Sequence, residues 1–377
     1  MDIVAAASIK AFGREEWNRL FPGELEDWNY YRAVECAGLA DFAWRYFGVR
    51  ESGRLCVAVP GFITDYELDT TLSGPLRRVS NAIVRVFPRL LRVRMLALGS
   101  PVAECCHLGF ATELDAPARQ RALDAMLAAV EEHADKHRIG MLAIKDATAA
   151  QNALWAATAG ARRLRRQPGL PTATLTIAFD SIDGYLRTLS RATRRDLRRK
   201  LKAGAALRVE WRRRIDDIID DVMLLYRSTL TDAQFSFEEL TADYFIGVLR
   251  EADGHAHCVT YWLGKKLVAF NLVLHDGTRL LDKFLGMDRE LARAYNLYFY
   301  TWIENVRWCI EHGVPLYQSG QGLHHEKRRL GSRLSANWLW YRHRNRVLDA
   351  IFVVVERLAR LDRHDPELAA LLKEPPA

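Results

Sequence analysis

The sequence predicts an α+β protein made of two tandem lobes, each a mixed sheet flanked by helices. Three observations predict it. At 377 residues the chain is long for one ordinary domain and suits two. Hydrophobic residues make up 49% and charged residues 27%, enough apolar side chains for two packed cores. One pattern also occurs twice: apolar strand, charged glycine turn, apolar strand, then later a long helix and a further strand.

The elements follow in order. Residues 9–21 read as a helix, and 27–37 as a second one rich in aromatics (Trp28, Tyr30, Tyr31). Residues 42–50 and 55–62 alternate as two strands around the turn Glu51-Ser52-Gly53-Arg54. Residues 94–98 form a further strand, 116–137 an amphipathic helix, 140–145 a buried strand and 149–159 a helix. Residues 160–171 carry Arg, Gly and Pro without apolar periodicity, which places the boundary there and gives lobes 1–165 and 166–377.

In the second lobe 172–179 is a strand, and 182–189, 191–202 and 216–229 are helices. Strands at 257–263, 267–275 and 279–287 are joined by Gly264-Lys265-Lys266 and Asp276-Gly277. A long helix over 292–312 stops at Gly313, with Pro315 beyond. Strands at 314–318 and 337–343 and a helix over 348–361 complete the chain.

Charge is concentrated. The chain carries +7, yet 185–214 alone holds twelve Arg and Lys against Asp196 and Glu210. Such a patch argues for an anionic partner: coenzyme A phosphates, a lipid headgroup or RNA. Six cysteines without a C-x-x-C pair argue against a disulfide framework and for a cytoplasmic setting. Neither a signal peptide nor a transmembrane run is visible. Residues 83–95 mix bulky apolar side chains with arginines and no acids, as an interfacial segment on an anionic inner membrane would, and Ile351-Phe352-Val353-Val354-Val355 adds apolar surface.

Gly320-Gln321-Gly322, followed after four residues by Lys327-Arg328-Arg329-Leu330-Gly331, resembles the G-x-G-x-x-x-Y-K-x-x-L-G element of FemAB-like proteins in the GNAT superfamily. The helix ending Cys309-Ile310-Glu311-His312-Gly313 precedes it, as in those families. The segment Ser190 to Arg199 is similar to their S-x-K-x-R-x-x-L-R-R opening of the second lobe. The resemblance implies two tandem GNAT-like lobes and an acyltransferase. It implies acyl-CoA as co-substrate, no permanently bound cofactor, and an amine acceptor, a lipid amine included. Bacterial ceramide synthases, which acylate a sphingoid base, are one such group; aminoacyl-tRNA-dependent Fem-type transferases of peptidoglycan precursors are another, and a non-catalytic binding module of the same fold is a third. DNA is not implied. Two positions depart from the pattern: Glu326 stands where the tyrosine is usual, and Arg289-Glu290-Leu291-Ala292 lacks the glycine pair of a pyrophosphate loop.

N-acyl transfer needs a base, oxyanion donors and positive charge for the donor's phosphates. His325, Glu326 and Lys327, beside His324, put a base next to a cation; ordinary capping and solvation of a helix start is the alternative for the histidines. Asp282 and Lys283 are charges inside an apolar strand and need a partner or a task. Glu104 and His107 could line a cleft, or an ordinary loop. Arg191, Arg194, Arg195 and Arg198, with Gly320, Gln321, Gly322 and Lys283, are the candidates for holding the acyl donor. His255-x-His257-Cys258 has metal-ligand types, but alternation on a strand sets Cys258 against the histidines, so no metal site is expected.

Overall fold

The computed structural model describes residues 1–67, 92–232, 237–252, 254–350, 352 and 366–372. The fold is mixed α+β, with two sheets and helices packed on them. The chain divides into two compact units. The first holds Met1–Trp28, Ala40–Pro171 and Ala336–Ala377; the second holds Asn29–Leu39 and Thr172–Ser335. The boundary near 165 therefore falls a few residues later, at Pro171, and the segment after Ala336 returns to the first unit. Strand Asn337–His343 belongs with the first sheet because it is inserted between Met141–Thr148 and Arg165–Pro168, antiparallel to both. The basic segment Arg165–Pro168, expected to be loop, is a strand for the same reason.

In the first sheet, strands Asp2–Ala6, Ala43–Glu51, Arg54–Glu67 and Arg92–Leu98 run antiparallel in that order. Arg92–Leu98 then pairs parallel with Met141–Thr148. Helix Ala116–Lys136 starts at Asp115, whose carboxylate accepts from the Ala118 amide, and buries Leu123, Met126, Leu127 and Val130 at helical spacing.

The second sheet runs Arg333–Ser335, Thr172–Thr176, Leu316–Gln318, Arg279–Met287, Lys266–His275, Ala256–Leu263, Arg208–Arg212. Only the pair Leu316–Gln318 and Arg279–Met287 is parallel; the other neighbours are antiparallel. The hairpins predicted from Gly264 and Asp276-Gly277 are present. Asp276 accepts from the Thr278 and Arg279 amides, and Gly277 takes φ 84°, which the turn requires. The expected long helix is broken. Arg289–Ala294 ends, Asn296 adopts a left-handed φ of 50°, and Leu297–His312 begins anew. Asparagine tolerates that conformation, so the periodicity continues across a break that the apolar pattern hides. Helix Ala242–Glu251 and strand Arg208–Arg212 are further elements not read from the sequence. The expectations for 83–91 and for most of 348–361 lie outside the described residues.

Candidate active site in the second unit

The parallel ladder between Arg279–Met287 and Leu316–Gln318 has three registered pairs and ends at Leu281↔Gln318. Arg279–Met287 continues past that point, so the two strands part there. The first residue beyond the fork is Asp282. A bulge coincides with it: Val273 pairs with Asp282 and Leu272 with Phe284, leaving Lys283 as the extra residue. A bulge re-aims side chains that strict alternation would set on opposite faces.

Asp282 is the centre of a polar network inside an apolar core. Its Oδ1 accepts from Asn271 Nδ2 at 2.6 Å, and its Oδ2 accepts from the Tyr317 hydroxyl at 2.9 Å. Asn305 Nδ2 lies 3.5 Å from the same Oδ2, 2.7 Å from Asn271 Oδ1 and 3.0 Å from the Tyr317 hydroxyl. Asn271, Asn305 and Tyr317 are fully or almost fully buried. They come from a neighbouring strand, the long helix and the other arm of the fork. Burying such polar groups is tolerable because they largely satisfy one another; Asn305 Oδ1 is the one atom of the three partners left without a hydrogen bond among the described residues.

Burial pushes the Asp282 carboxyl above its ordinary value, against the pull of Asn271, Lys327, Tyr317 and Lys283. Tyr298 stands on helix Leu297–His312. Burial, with the charges of Asp282 and Glu326 in range, raises its hydroxyl pKa. That hydroxyl has no hydrogen-bond partner among the described residues. Trp302 Nε1 donates to the Tyr185 hydroxyl at 3.0 Å, which donates to the Leu330 carbonyl at 2.7 Å, tying the helix to the turn after residue 329.

Among the expected residues, Lys327 is buried, on the short helix His324–Arg329, and its ammonium donates to the Ser319 carbonyl. It braces the Ser319–Leu323 turn and contributes positive charge toward Asp282. That turn carries Gly320 at φ 85°, with Gln321 and Gly322 following. His325 is exposed, its ring 4.3 Å from that of His324. Glu326 is half-buried and 3.1 Å from Arg329, which also lies 3.3 Å from Asp196. Lys283 places its ammonium 5.3 Å from the centroid of the Tyr30 ring.

The arginines lie on helix Arg191–Gly204, which Ser190 caps by accepting from the Thr193 amide at 3.2 Å. Thr193, Leu197 and Gly204 face inward, while Arg191, Arg195 and Arg198 are exposed and Arg194 partly so. Arg198 pairs with Asp183 at 3.1 Å; Arg191, Arg194 and Arg195 have no ion pair among the described residues.

Glu104 and His107 belong to the first unit. The Glu104 carbonyl accepts from Asn337, and the buried His107 has its Nε2 3.6 Å from Glu24 and 3.5 Å from Glu26. These three are the metal-capable grouping among the described residues, and no metal had been expected. His255 and His257 both approach His275 (Nδ1 of His255 at 3.0 Å from its carbonyl, Nδ1 of His257 at 2.9 Å from its Nε2). Cys258 is fully buried. Burial lowers the pKa of His257, and of His275 to about 4.

The sequence reading missed Asn271, Asn305, Tyr317 and Tyr298. Asn271 did leave a signal, as an amide inside Leu267-Val268-Ala269-Phe270-Asn271-Leu272-Val273. Asn305 sits likewise among the aromatic and aliphatic residues of its helix.

Residues 191–328 match the family described as "Acetyltransferase (GNAT) domain". The matched span lies inside the second unit, which over that span is similar to a GNAT acetyltransferase domain. The matched span contains the basic helix, the forked strands and Lys327. FemX is similar in structure, with a TM-score of 0.55 at 14% identity over 90% of this chain and 97% of that one. A tandem GNAT protein from the clavulanic acid biosynthesis pathway gives 0.54 at 14%, over 91% and 98%. A structure named as the C-terminal domain of a lysylphosphatidylglycerol synthetase from Agrobacterium fabrum gives 0.53 at 14%, over 89% and 96%. At these identities the likeness is one of fold, and the fold is that of two tandem GNAT-like units. No match was found among curated protein sequences. Among the described residues no helix is long and apolar enough to cross a membrane.

Proposed function

We propose that the second unit is an N-acyltransferase moving an acyl group from a phosphate-bearing thioester, acyl-CoA in the simplest case, to an amine. One observation carries the reading: Asp282, a carboxylate with a raised pKa, stands at the fork of the only parallel strand pair described in its sheet. A general base works best with a pKa near the operating pH, and burial moves Asp282 in that direction. Asp282 takes the ammonium proton, directly or through one water. The freed amine attacks the acyl carbon, the C–N bond forms, and the C–S bond breaks. Tyr298, whose hydroxyl has a raised pKa, gives its proton to the departing thiolate and takes in return the second proton that the new amide nitrogen sheds, so that one proton stays on Asp282 until it is released to water. Asn271, Asn305 and Tyr317 are positioning residues that fix the carboxylate. Arg191, Arg194 and Arg195, at the amino end of a capped helix, hold the donor's phosphates. His325 and Glu326, on the short helix that follows the turn, are kept for acceptor binding, and Gly320 to Gly322 for the donor; Glu104 and His107 have no part in the step.

A donor in which RNA carries the acyl group is the second reading. The unpaired arginines favour it as much as they favour coenzyme A, and one structural relative is named for lysyl transfer to a lipid. None of the relatives described above is named for a sphingoid acceptor, so ceramide formation is an acceptor to test. Mass spectrometry of products decides, using purified protein with acyl-CoA of several chain lengths or charged tRNA, and with sphingoid base, lipid amines and small amines as acceptors. The expected result is an amide from acyl-CoA that Asp282→Asn abolishes. Product formed only from charged tRNA, and lost on RNase treatment, replaces the first reading with the second.

A further inference from the structure

We infer that the basic helix and the helix before it form a binding groove for an anionic phospholipid, a site separate from the proton-transfer machinery around Asp282. The groove is shallow and open. Its floor is apolar: Ile182 and Leu186 from helix Ile182–Thr188, and Leu201 and Ala205 from the end of helix Arg191–Gly204. Its rim is cationic, with Arg198 and Lys202 one helical turn apart. Apolar floor and cationic rim together fit an amphiphile with a negative head: a chain lies on the floor and a phosphate meets the rim.

Charge complementarity selects the anionic headgroup. Asp196 is shared by Arg199, Lys200 and Arg329, at 2.9, 2.9 and 3.3 Å, and Arg329 has Glu326 besides, at 3.1 Å. Lys202, on the rim, has no ion pair among the described residues. The Arg198–Asp183 pair is the one carboxylate contact at the rim, and its side chains are 55% and 70% exposed. An ion pair that open to water is worth little, so Arg198 can exchange Asp183 for a phosphate at small cost. The helix keeps its inward residues elsewhere, with Lys200 over the Phe299 ring and Gly204 against Tyr300, so the outward stripe is available without disturbing the core. A simple polyanion would use the rim and leave the floor wet.

The test uses the full chain and vesicles of phosphatidylcholine with or without phosphatidylglycerol, read by co-sedimentation. Binding needs no turnover, so it stands or falls apart from the acyl-transfer reading. The expected result is binding that requires phosphatidylglycerol and falls about 25-fold in Lys202→Glu, as a change of two charges near a lipid surface predicts. Ala205→Asp places an acid in the groove, and Ala206→Asp places the same charge on the neighbouring exposed residue outside it. The first is expected to lose at least fivefold more affinity than the second, on the order of one charge at a lipid surface. Lysophosphatidylglycerol below its micelle concentration should compete, and inorganic phosphate at equal concentration should not. Equal losses in the two alanine variants, equal competition by phosphate, tRNA displacing the vesicles through the same groove, or absence of vesicle binding would each overturn the proposal.

Discussion

Each unit contains one parallel strand pair among its described residues, and the two pairs end differently. In the first unit Arg92–Leu98 and Met141–Thr148 run together to Leu98↔Ile144, with Met95, Leu96, Ala97 and Leu142, Ala143, Ile144 buried along the ladder. Beyond it the chain packs the gap with backbone. Gly99 takes φ 106°, and a Cβ there would lie 3.0 Å from the Lys145 carbonyl; Cys106 donates to the Asp146 carbonyl at 2.9 Å. Lys145 pairs with its neighbour Asp146 and donates to the Ala103 carbonyl at 2.9 Å. In the second unit the corresponding point holds Asp282 and three buried polar side chains. The same strand arrangement thus ends on a Lys145–Asp146 ion pair braced by backbone in one unit, and on a buried carboxylate held by an amide and a phenol in the other. Under the proposed function, this difference makes the first unit architectural and the second chemical.

Substitutions can break that contrast, beginning with the largest effect. Asp282→Asn should lower kcat by at least about 100-fold, the usual scale for a lost general base, with the circular dichroism spectrum unchanged. A kcat within a few-fold of wild type would make Asp282 as structural as Asp146. Lys327→Met should cost roughly tenfold in turnover and move the acid limb of the kcat profile upward, since its charge now holds the Asp282 pKa down. The sign follows from the base: activity needs the ionised carboxylate, is lost as pH falls through its raised pKa, and is lost earlier once Lys327 is gone. A limb that stays in place would confine Lys327 to bracing the turn at Ser319. Asp146→Asn in the first unit is the smallest test. Asp146 has φ 57°, which asparagine tolerates, so only the Lys145 contact is removed. Stability should fall by about 1–3 kcal/mol in urea titration with kcat unchanged; an altered kcat would end the division of labour.

The elements most readable from the sequence were those whose evidence is local. The hairpins around Gly264 and Gly277 announce themselves by alternation and turn residues, and helix Ala116–Lys136 by its apolar spacing. Asp282 was readable because a charge inside an apolar strand is costly. Its partners were not, because Asn271, Asn305 and Tyr317 meet only once a helix is docked on the sheet at one particular rotation. The bulge at Lys283 was invisible for a related reason: alternation assumes that no residue is extra. The lysine of the turn motif was noticed as a candidate, yet motif spacing carries no information on depth, and Lys327 lies beneath the turn. Strand Asn337–His343 was recognised as a strand, while its neighbours, almost two hundred residues earlier in one case, were not.

That last strand has a consequence for how the molecule is made. Asn337 pairs with Thr148 and His343 with Met141, so the last but one strand of the first sheet is a segment that leaves the ribosome after the whole second unit. Until then Met141–Thr148 and Arg165–Pro168 have a missing neighbour, and the nascent amino-terminal part carries open hydrogen-bonding edges that invite aggregation. Closure over so long a stretch of chain is slow. Splitting the gene at residue 165 would thus yield an amino-terminal fragment whose strand Met141–Thr148 has one edge unpaired, and a carboxy-terminal one bearing a strand with no sheet to enter.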